Sequence, residues 1–396
     1  MENKDLKVLC LSFWTPPIVR PQSILIGKMI PEWVRQGINP VILTYDICGD
    51  WQIDLPIYKI PQFKINKYLN KLKLATILEY FYYRKLLRTA KKIIEEYQIN
   101  LIFSFSNPQA SNILGAMINK KLGIKFISHF SDPWFDNPFK SFSWLGAKKV
   151  LAQEKYIIKH SARVIFITET MKEQVMRKYP QKWQDSARVI SHCYDLKDYP
   201  DIENKSGKYI ISYVGAFYGK RNPKILFQAL RKLLDVDRLK DKFKFRIIGG
   251  AVDYIAYKEN LQELIKDHGL EHVIELISQV DYKKSLEYMK TSDCLVVIDA
   301  DYQNSPFLTS KVVDYAGSGR AIIGITPENS PTAEFLKKLG YWSFSYNQID
   351  ELADHLNKLI LGEIKPQIDK DFLGQFNITN TTAKLINQFK EVLGEI

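Results

Sequence analysis

A chain of 396 residues with 46% hydrophobic and 25% charged side chains is long enough for two hydrophobic cores and too apolar to be disordered. Its formal net charge of +12 suits an anionic partner, but no zinc-finger spacing or RNA-binding aromatic signature accompanies it, so the excess points to nucleotide phosphates or an anionic membrane face and not to nucleic acid. The first apolar run, Leu6 to Phe13, is too short to span a bilayer, and four scattered cysteines (Cys10, Cys48, Cys193, Cys294) read as reduced thiols of a cytoplasmic protein without a secretory leader or zinc site.

Leu6 to Phe13 predicts a buried strand. The Pro-rich loop Trp14-Thr15-Pro16-Pro17 then leads into a helix over about 21–36, closed by Gly37, and Val41 to Thr44 predicts the second strand. This is βαβ grammar, in which ligands sit beyond the carboxyl ends of the strands, so Arg20 and Ser23 near the helix start are candidate loop contacts. Residues 57–92 stand apart, with ten Lys or Arg against one acid, Glu79, interleaved with Tyr68, Leu72, Ile77 and Phe81. Such a segment fits docking on an anionic bilayer; the same pattern also serves a solvated helix whose apolar stripe packs on its own domain.

Asn100 to Phe105, Lys125 to His129 and Arg163 to Ile167 predict further strands, with helices over 109–122 and 145–160 and another from Thr170. The strand ending at His129 runs into Ser131-Asp132-Pro133-Trp134, where His129 and Asp132 are candidate catalytic groups for positioning an acceptor hydroxyl or stabilising a developing charge. Glu169 reads as a first-turn acid favoured by the helix dipole. Leu196 to Lys208, with Pro200 and its charges, reads as an interdomain connection.

The second half repeats the grammar. Tyr209 to Val214 predicts a strand that exits at Gly215 toward Lys220 and Arg221, a glycine that lets backbone approach a diphosphate beside cations that neutralise it. Helices over 223–234, 282–289 and 331–339 alternate with strands over 243–248, 273–276 and 294–298. Ser305 to Ile325 then reads as a loop, a helix starting near Lys311 with Thr309 or Ser310 as cap, a turn at Gly317 and Gly319, and a strand from Ala321. A helix N-terminus beside a strand end is an anion site, and Asp314 sits one turn in, where a carboxylate reaches a sugar hydroxyl. No complete G-x-G-x-x-G, Walker or G-x-S-x-G pattern is present. A final helix runs from Thr379 to about Leu393.

Four stretches carry a family resemblance in family order: LSFWTPPIVRPQS, IKFISHFSDPW, ISYVGAFYGKRNPKILFQAL and SDCLVVIDADYQNSPFLTSKVVDYAGSGRAIIGI. The chain resembles a GT-B glycosyltransferase of the retaining family-4 type (glycosyl transferases group 1). The resemblance implies an α/β fold of two Rossmann-like doubly wound domains facing a central cleft. The first, over 1–200, would hold the acceptor; the second, over 201–378, would hold the nucleotide-sugar donor; and the helix 379–396 would return to the first. It implies no metal and no cofactor, a donor of UDP, GDP or dTDP type, and a glycan or lipid-linked acceptor in cell-surface polysaccharide or glycolipid synthesis; the basic segment 57–92 is what points to a peripheral place on the inner face of the plasma membrane. The donor contacts would be Gly215, Lys220, Arg221, Phe307, Leu308, Thr309, Ser310 and Lys311, with Asp314 on the ribose. Pro306 stands where relatives often carry a glutamate, and Ala216 and Phe217 stand in the region of an arginine. A nucleotide-sugar epimerase or hydrolase on the same fold, or a non-catalytic nucleotide-sugar-binding protein, are the alternatives.

Overall fold

The computed structural model describes residues 6–63, 74–217, 221–239, 241–249 and 261–394. The chain divides into two compact units, Met1–Ser191 with Ile378–Ile396, and His192–Asn377. Among the described residues no helix is long and apolar enough to cross a membrane. Lys220 and residues 64–73 of the basic segment lie outside the described residues.

The first unit comprises β1 (Leu6–Leu11), α1 (Pro21–Arg35), β2 (Ile38–Tyr45), β3 (Ile57–Ile60), α2 (Leu74–Tyr97), β4 (Leu101–Phe105) and α3 (Ala110–Leu122). It continues with β5 (Lys125–Phe130), α4 (Trp144–His160), β6 (Arg163–Phe166), α5 (Glu169–Met176), α6 (Gln181–Gln184) and β7 (Ala187–Val189). The strands form one sheet in the order β3-β2-β1-β4-β5-β6-β7, with every pair parallel. Runs such as Val8-Leu9-Cys10-Leu11 and Leu101-Ile102-Phe103 are buried on both faces, as a parallel sheet covered by helices requires. Trp33 of α1 is fully buried, with its ring 5.3 Å from Phe103 and 5.4 Å from Phe389. Phe389 belongs to the last helix, α14 (Ile378–Leu393), so the chain's end closes the first unit's core. Arg163 fastens the rim of that contact through Glu391 at 3.1 Å.

The second unit comprises β8 (Tyr209–Val214), α7 (Lys224–Leu234), β9 (Phe243–Ile248), α8 (Leu261–Asp267), β10 (Ile274–Ile277), α9 (Tyr282–Lys290) and β11 (Cys294–Ile298). It ends with α10 (Ser310–Ser318), β12 (Ala321–Ile325), α11 (Pro331–Leu339), β13 (Trp342–Phe344), α12 (Ile349–Ile360) and α13 (Lys370–Gly374). Its sheet runs β10-β9-β8-β11-β12-β13, again parallel throughout. The stretch 196–208 belongs to this unit and not to a connection: Asn204 Nδ2 donates to Asp293 Oδ2 at 2.6 Å, and Arg320 donates to the Ile202 carbonyl at 3.4 Å. Gly317 lies inside α10, where a Cβ would fall 2.6 Å from Tyr194 and Tyr199; only Gly319, with φ +72°, ends the helix in the left-handed region.

Both sheets reverse strand order once at the centre, between β1 and β4 and between β8 and β11. Connections leave in opposite directions at such a point and open a crevice beyond the strand ends. The loops that border these crevices are those after β1, β4, β8 and β11.

Candidate donor site and its partner edge

In the second unit the switch point brings the end of β8 beside the end of β11 and the start of α10. Gly215 follows β8 with φ +138°, and its N–H donates to the Ile248 carbonyl at 2.7 Å. A Cβ here would fall 2.1 Å from Lys311 Nζ, so only glycine lets that ammonium lie over the strand exit. Lys311 is the second residue of α10; its Nζ donates to the Tyr213 hydroxyl at 3.3 Å and lies 4.5 Å from that ring's centroid. Tyr213 is itself fixed, stacked on Phe217 at 4.2 Å and donating to the Ala216 carbonyl at 2.9 Å. Burial, and next the Arg221 guanidinium, push the Lys311 amine down to about 7, with Asp299 pulling the other way.

The start of α10 is held in place by Tyr315, whose hydroxyl accepts from the Val214 N–H at 2.8 Å and donates to the Val214 carbonyl at 3.1 Å. Thr309 is the N-cap, but its side chain makes no capping hydrogen bond and the first turn carries no acid. The positive end of the helix dipole therefore adds to Lys311 and Arg221 without a local carboxylate to offset it. The countercharge lies behind: Asp299, just past β11, is 2% exposed, and its carboxyl is raised by burial and drawn back by Arg221, the Thr332 hydroxyl and Lys311.

Asp314 is 6% exposed, one turn into α10. Tyr282 donates to its Oδ1 at 3.3 Å, and Tyr199 donates to its backbone carbonyl at 2.7 Å. Burial raises the Tyr282 hydroxyl above its ordinary value, with the Asp314 carboxylate as the next cause, so Tyr282 remains a donor. Leu308 is buried and Phe307 partly so, with the Phe307 N–H turned to Ser305 Oγ at 3.5 Å.

In the first unit, Asp132 stands beyond β5 and accepts from Asn107 Nδ2 at 2.6 Å, across the strand order β4-β5. The Ser131 N–H donates to Ser106 Oγ at 2.8 Å, so the loops after β4 and β5 are tied side by side. The loop after Asp132 is pinned from below: Glu154 of α4, fully buried, accepts the Phe135 N–H at 3.0 Å, Lys178 Nζ at 2.7 Å and the Tyr179 hydroxyl at 2.8 Å. Arg20 caps α1 without a side-chain bond and lies 4.1 Å over the Trp14 ring, while Ser23 is buried in the first turn of α1.

His129 is placed differently from Asp132. It is 5% exposed, its ring lies 5.3 Å from Phe105 and 6.3 Å from Phe103, and it lines a small interior void with Leu25, Met29, Ile165 and Leu385. The imidazole thus packs in the layer between sheet and helices, and its backbone carbonyl accepts from Asn112 Nδ2 at 3.2 Å. Glu169 opens α5 beside its cap, where the Thr168 hydroxyl accepts the Met171 N–H at 3.1 Å, and pairs with Lys172. Among the described residues no cluster of three or more His, Cys, Asp or Glu is gathered to hold a metal ion.

The structure therefore assembles Gly215, Arg221, Lys311 and Asp314 around one helix start, and Asp132 on the exit edge of the other sheet. Tyr213, Tyr282, Asp299 and Tyr315 complete the first cluster and were not singled out by the sequence. They come from β8, α9, the residue just past β11, and α10, and no local spacing links them.

The family model for glycosyl transferases group 1 matches residues 197–369, and that for glycosyltransferase family 4 matches residues 24–198. The chain belongs to the GT-B glycosyltransferases. The fold of this glycosyltransferase is similar to that of a sucrose-phosphate synthase from Thermosynechococcus elongatus, with a TM-score of 0.74 and 13% identity over 98% of this chain and 100% of that one. A glycosyltransferase from Rickettsia africae gives 0.73 and 15% over 99% and 100%. HepE from Anabaena, solved with UDP-glucose, gives 0.67 and 13% over 97% and 99%. No curated protein sequence matches the chain.

Proposed function

We propose that this glycosyltransferase moves a sugar from a nucleotide-sugar donor to an acceptor hydroxyl with retention of anomeric configuration, the second unit gripping the donor. The observation that carries the reading is the enclosed Lys311 ammonium, seated against Gly215 and Arg221 at a helix start whose first turn carries no acid, with Asp299 buried behind it. Such a site is built for a diphosphate. Lys311, Arg221 and the amides of Thr309 to Lys311 bind its oxygens, with Lys220 as a further cation, and hold the charge that develops when the sugar leaves. Tyr282 holds the Asp314 carboxylate at the helix start, where it can meet a ribose hydroxyl. With Pro306 in place of an acid, backbone groups at Phe307 to Thr309 contact the donor sugar.

The bond between the anomeric carbon and the phosphate oxygen breaks, and its electron pair leaves with the diphosphate. The acceptor hydroxyl bonds the same carbon from the same face, and its proton passes to the leaving phosphate oxygen. Asp132, steadied by Asn107, orients the acceptor. The basic segment 57–92 supports a lipid-linked or surface-glycan acceptor at a membrane.

Calorimetry against UDP, GDP and dTDP, followed by NMR of the product formed from the matching nucleotide sugar, tests the reading. Tight binding of one nucleotide and an α-linked product from an α-configured donor are expected. An inverted product removes the retaining mechanism. Free nucleotide or an epimer formed without acceptor makes the chain a hydrolase or epimerase, and binding without turnover makes it a binding protein.

A further inference from the structure

The crevice at the switch point of the first unit, between β1 and β4, also opens on a helix start. Helix α1 begins at Pro21 with Arg20 as N-cap; the cap makes no side-chain hydrogen bond and the first turn carries no acid. Pro21 has no N–H, and the Ile24 N–H closes the first turn on the Arg20 carbonyl at 3.0 Å. The Gln22 and Ser23 N–H groups lie between them, and a helix offers its first donors no acceptor of its own.

Two side chains add to those amides. Ser23 is 1% exposed and Gln22 7%, and neither the Ser23 hydroxyl nor Gln22 Nε2 has a hydrogen-bond partner among the described residues. Folded proteins keep few buried polar groups unpaired, and two adjacent ones at a helix start point to a ligand. The Gln22 amide is also aimed. Its Oε1 meets the Ser131 hydroxyl at 3.5 Å, and Ser131 lies past β5 whereas α1 follows β1. With β4 between those two strands, the amide spans the mouth of the crevice. Arg20 closes the cluster. It is exposed, meets no carboxylate among the described residues, and stands 4.1 Å over the Trp14 ring, which is set edge-on to Tyr45 at 5.8 Å. Such stacking fixes the guanidinium plane and leaves its N–H edge for an oxyanion. Guanidinium, two backbone amides, the carboxamide N–H groups and a hydroxyl can all donate here, and the helix dipole has the same sign. A neutral sugar needs acceptors as well as donors, and an oxyanion needs donors alone.

We propose that the start of α1 is an oxyanion seat for the acceptor, so that this transferase takes an acceptor sugar carrying a phosphate or a carboxylate. The identity of the occupant rests on the first unit's holding the acceptor. Ser131, which Gln22 meets, is the chain neighbour of Asp132, and Asp132 is held by Asn107 at 2.6 Å. An acceptor anchored by its oxyanion at Arg20, Gln22 and Ser23 therefore presents a hydroxyl to Asp132. The anchor also discriminates: a neutral sugar at this place leaves the buried donors unpaired.

Calorimetry of the full chain saturated with UDP, which keeps the donor site filled, is the test. Saturable binding of glucose 6-phosphate or glucuronate is expected, with inorganic phosphate competing and glucose not binding. The tighter of the two anionic sugars tells whether the acceptor's oxyanion is a phosphate or a carboxylate. Arg20→Glu lowers that affinity on the order of a hundredfold, Ser23→Ala about fivefold, and Arg20→Lys less than Arg20→Glu because the charge is kept. The melting temperature of Arg20→Glu holds or rises, since an acid at a helix start complements the dipole, whereas the loss of a structural arginine would lower it. Equal binding of glucose, no saturable binding of either anionic sugar or of phosphate, or binding that Arg20→Glu leaves unchanged overturns the proposal while UDP binding still stands for the donor site. A loss of UDP affinity in Arg20→Glu that matches the loss of oxyanion affinity overturns it too, because the seat would then serve the donor's diphosphate. If UDP itself does not bind, the donor site falls, and the same titrations without UDP still judge the seat.

Discussion

Replacing Lys311 with methionine should make the empty protein more stable and nearly blind to its nucleotide. Methionine keeps much of the stem and removes the charge. A lysine in the unfolded chain titrates near 10.4, whereas burial and Arg221 bring this one down to about 7. The unfolded chain therefore binds the proton more tightly, and the ammonium opposes folding. The penalty is largest below about pH 7 and fades as pH rises toward 10. Full linkage gives about 5 kcal/mol near pH 6 and about 2 kcal/mol near pH 9. Partial solvent access to the side chain reduces the first figure to roughly 2–3 kcal/mol.

For a unit of this size that is a rise in Tm of roughly 5–10 °C near pH 6, and a smaller one at high pH. The same substitution removes a charge-assisted hydrogen bond to phosphate worth about 1.5–3 kcal/mol, so UDP affinity falls on the order of 10- to 150-fold. Thermal unfolding at the two pH values and calorimetry with UDP measure both effects. Calorimetry of the unmutated chain near pH 7, in buffers of different ionisation enthalpy, should also show proton uptake on binding. A variant less stable near pH 6 with unchanged UDP affinity would refute the reasoning, because the ammonium would then be a prop of the fold and not a charge held for a ligand.

Asp314→Ala should weaken UDP by about 1–3 kcal/mol while Tyr282→Phe costs less, since Tyr282 only steadies the carboxylate; calorimetry separates the two. Glu154→Leu leaves the Tyr179 hydroxyl and the Phe135 N–H without their acceptor and Lys178 with Asp136 alone, and should destabilise the first unit by about 1–3 kcal/mol, read as a fall in Tm. Phe389→Ala should cost about 3–5 kcal/mol by opening a cavity against Trp33 and Phe103, and proteolysis of the first unit should accelerate. Unchanged melting in that variant would mean that the last helix is not part of the first unit's core.

The long strands were legible because a parallel sheet buries both faces and writes unbroken apolar runs, as in Cys294 to Ile298. The same property hid the direction of His129. Where both faces are buried there is no alternation to say which way a side chain points, so a strand-end histidine looked available while its ring lies against Phe105. The edge strands β3 and β13 have four and three residues and only partial burial, too little pattern to mark them. Helix α12 was also not read, although Leu352, Leu356 and Leu359 recur at helical spacing and bury against α7. At the candidate site, the strand exit at Gly215 and the helix start before Asp314 were readable because they are local signals. The enclosure of Lys311 by Tyr213, the carboxyl of Asp299 and the clasp of Tyr315 on Val214 arise from strand order, which sequence spacing does not encode.

A crystal structure of the chain with UDP tests the central claim most directly. The diphosphate should lie within hydrogen-bond distance of Lys311 Nζ, the Arg221 guanidinium and the first amides of α10, with a ribose hydroxyl on Asp314. A nucleotide bound elsewhere, or a diphosphate that leaves Lys311 on Tyr213 alone, would contradict the account.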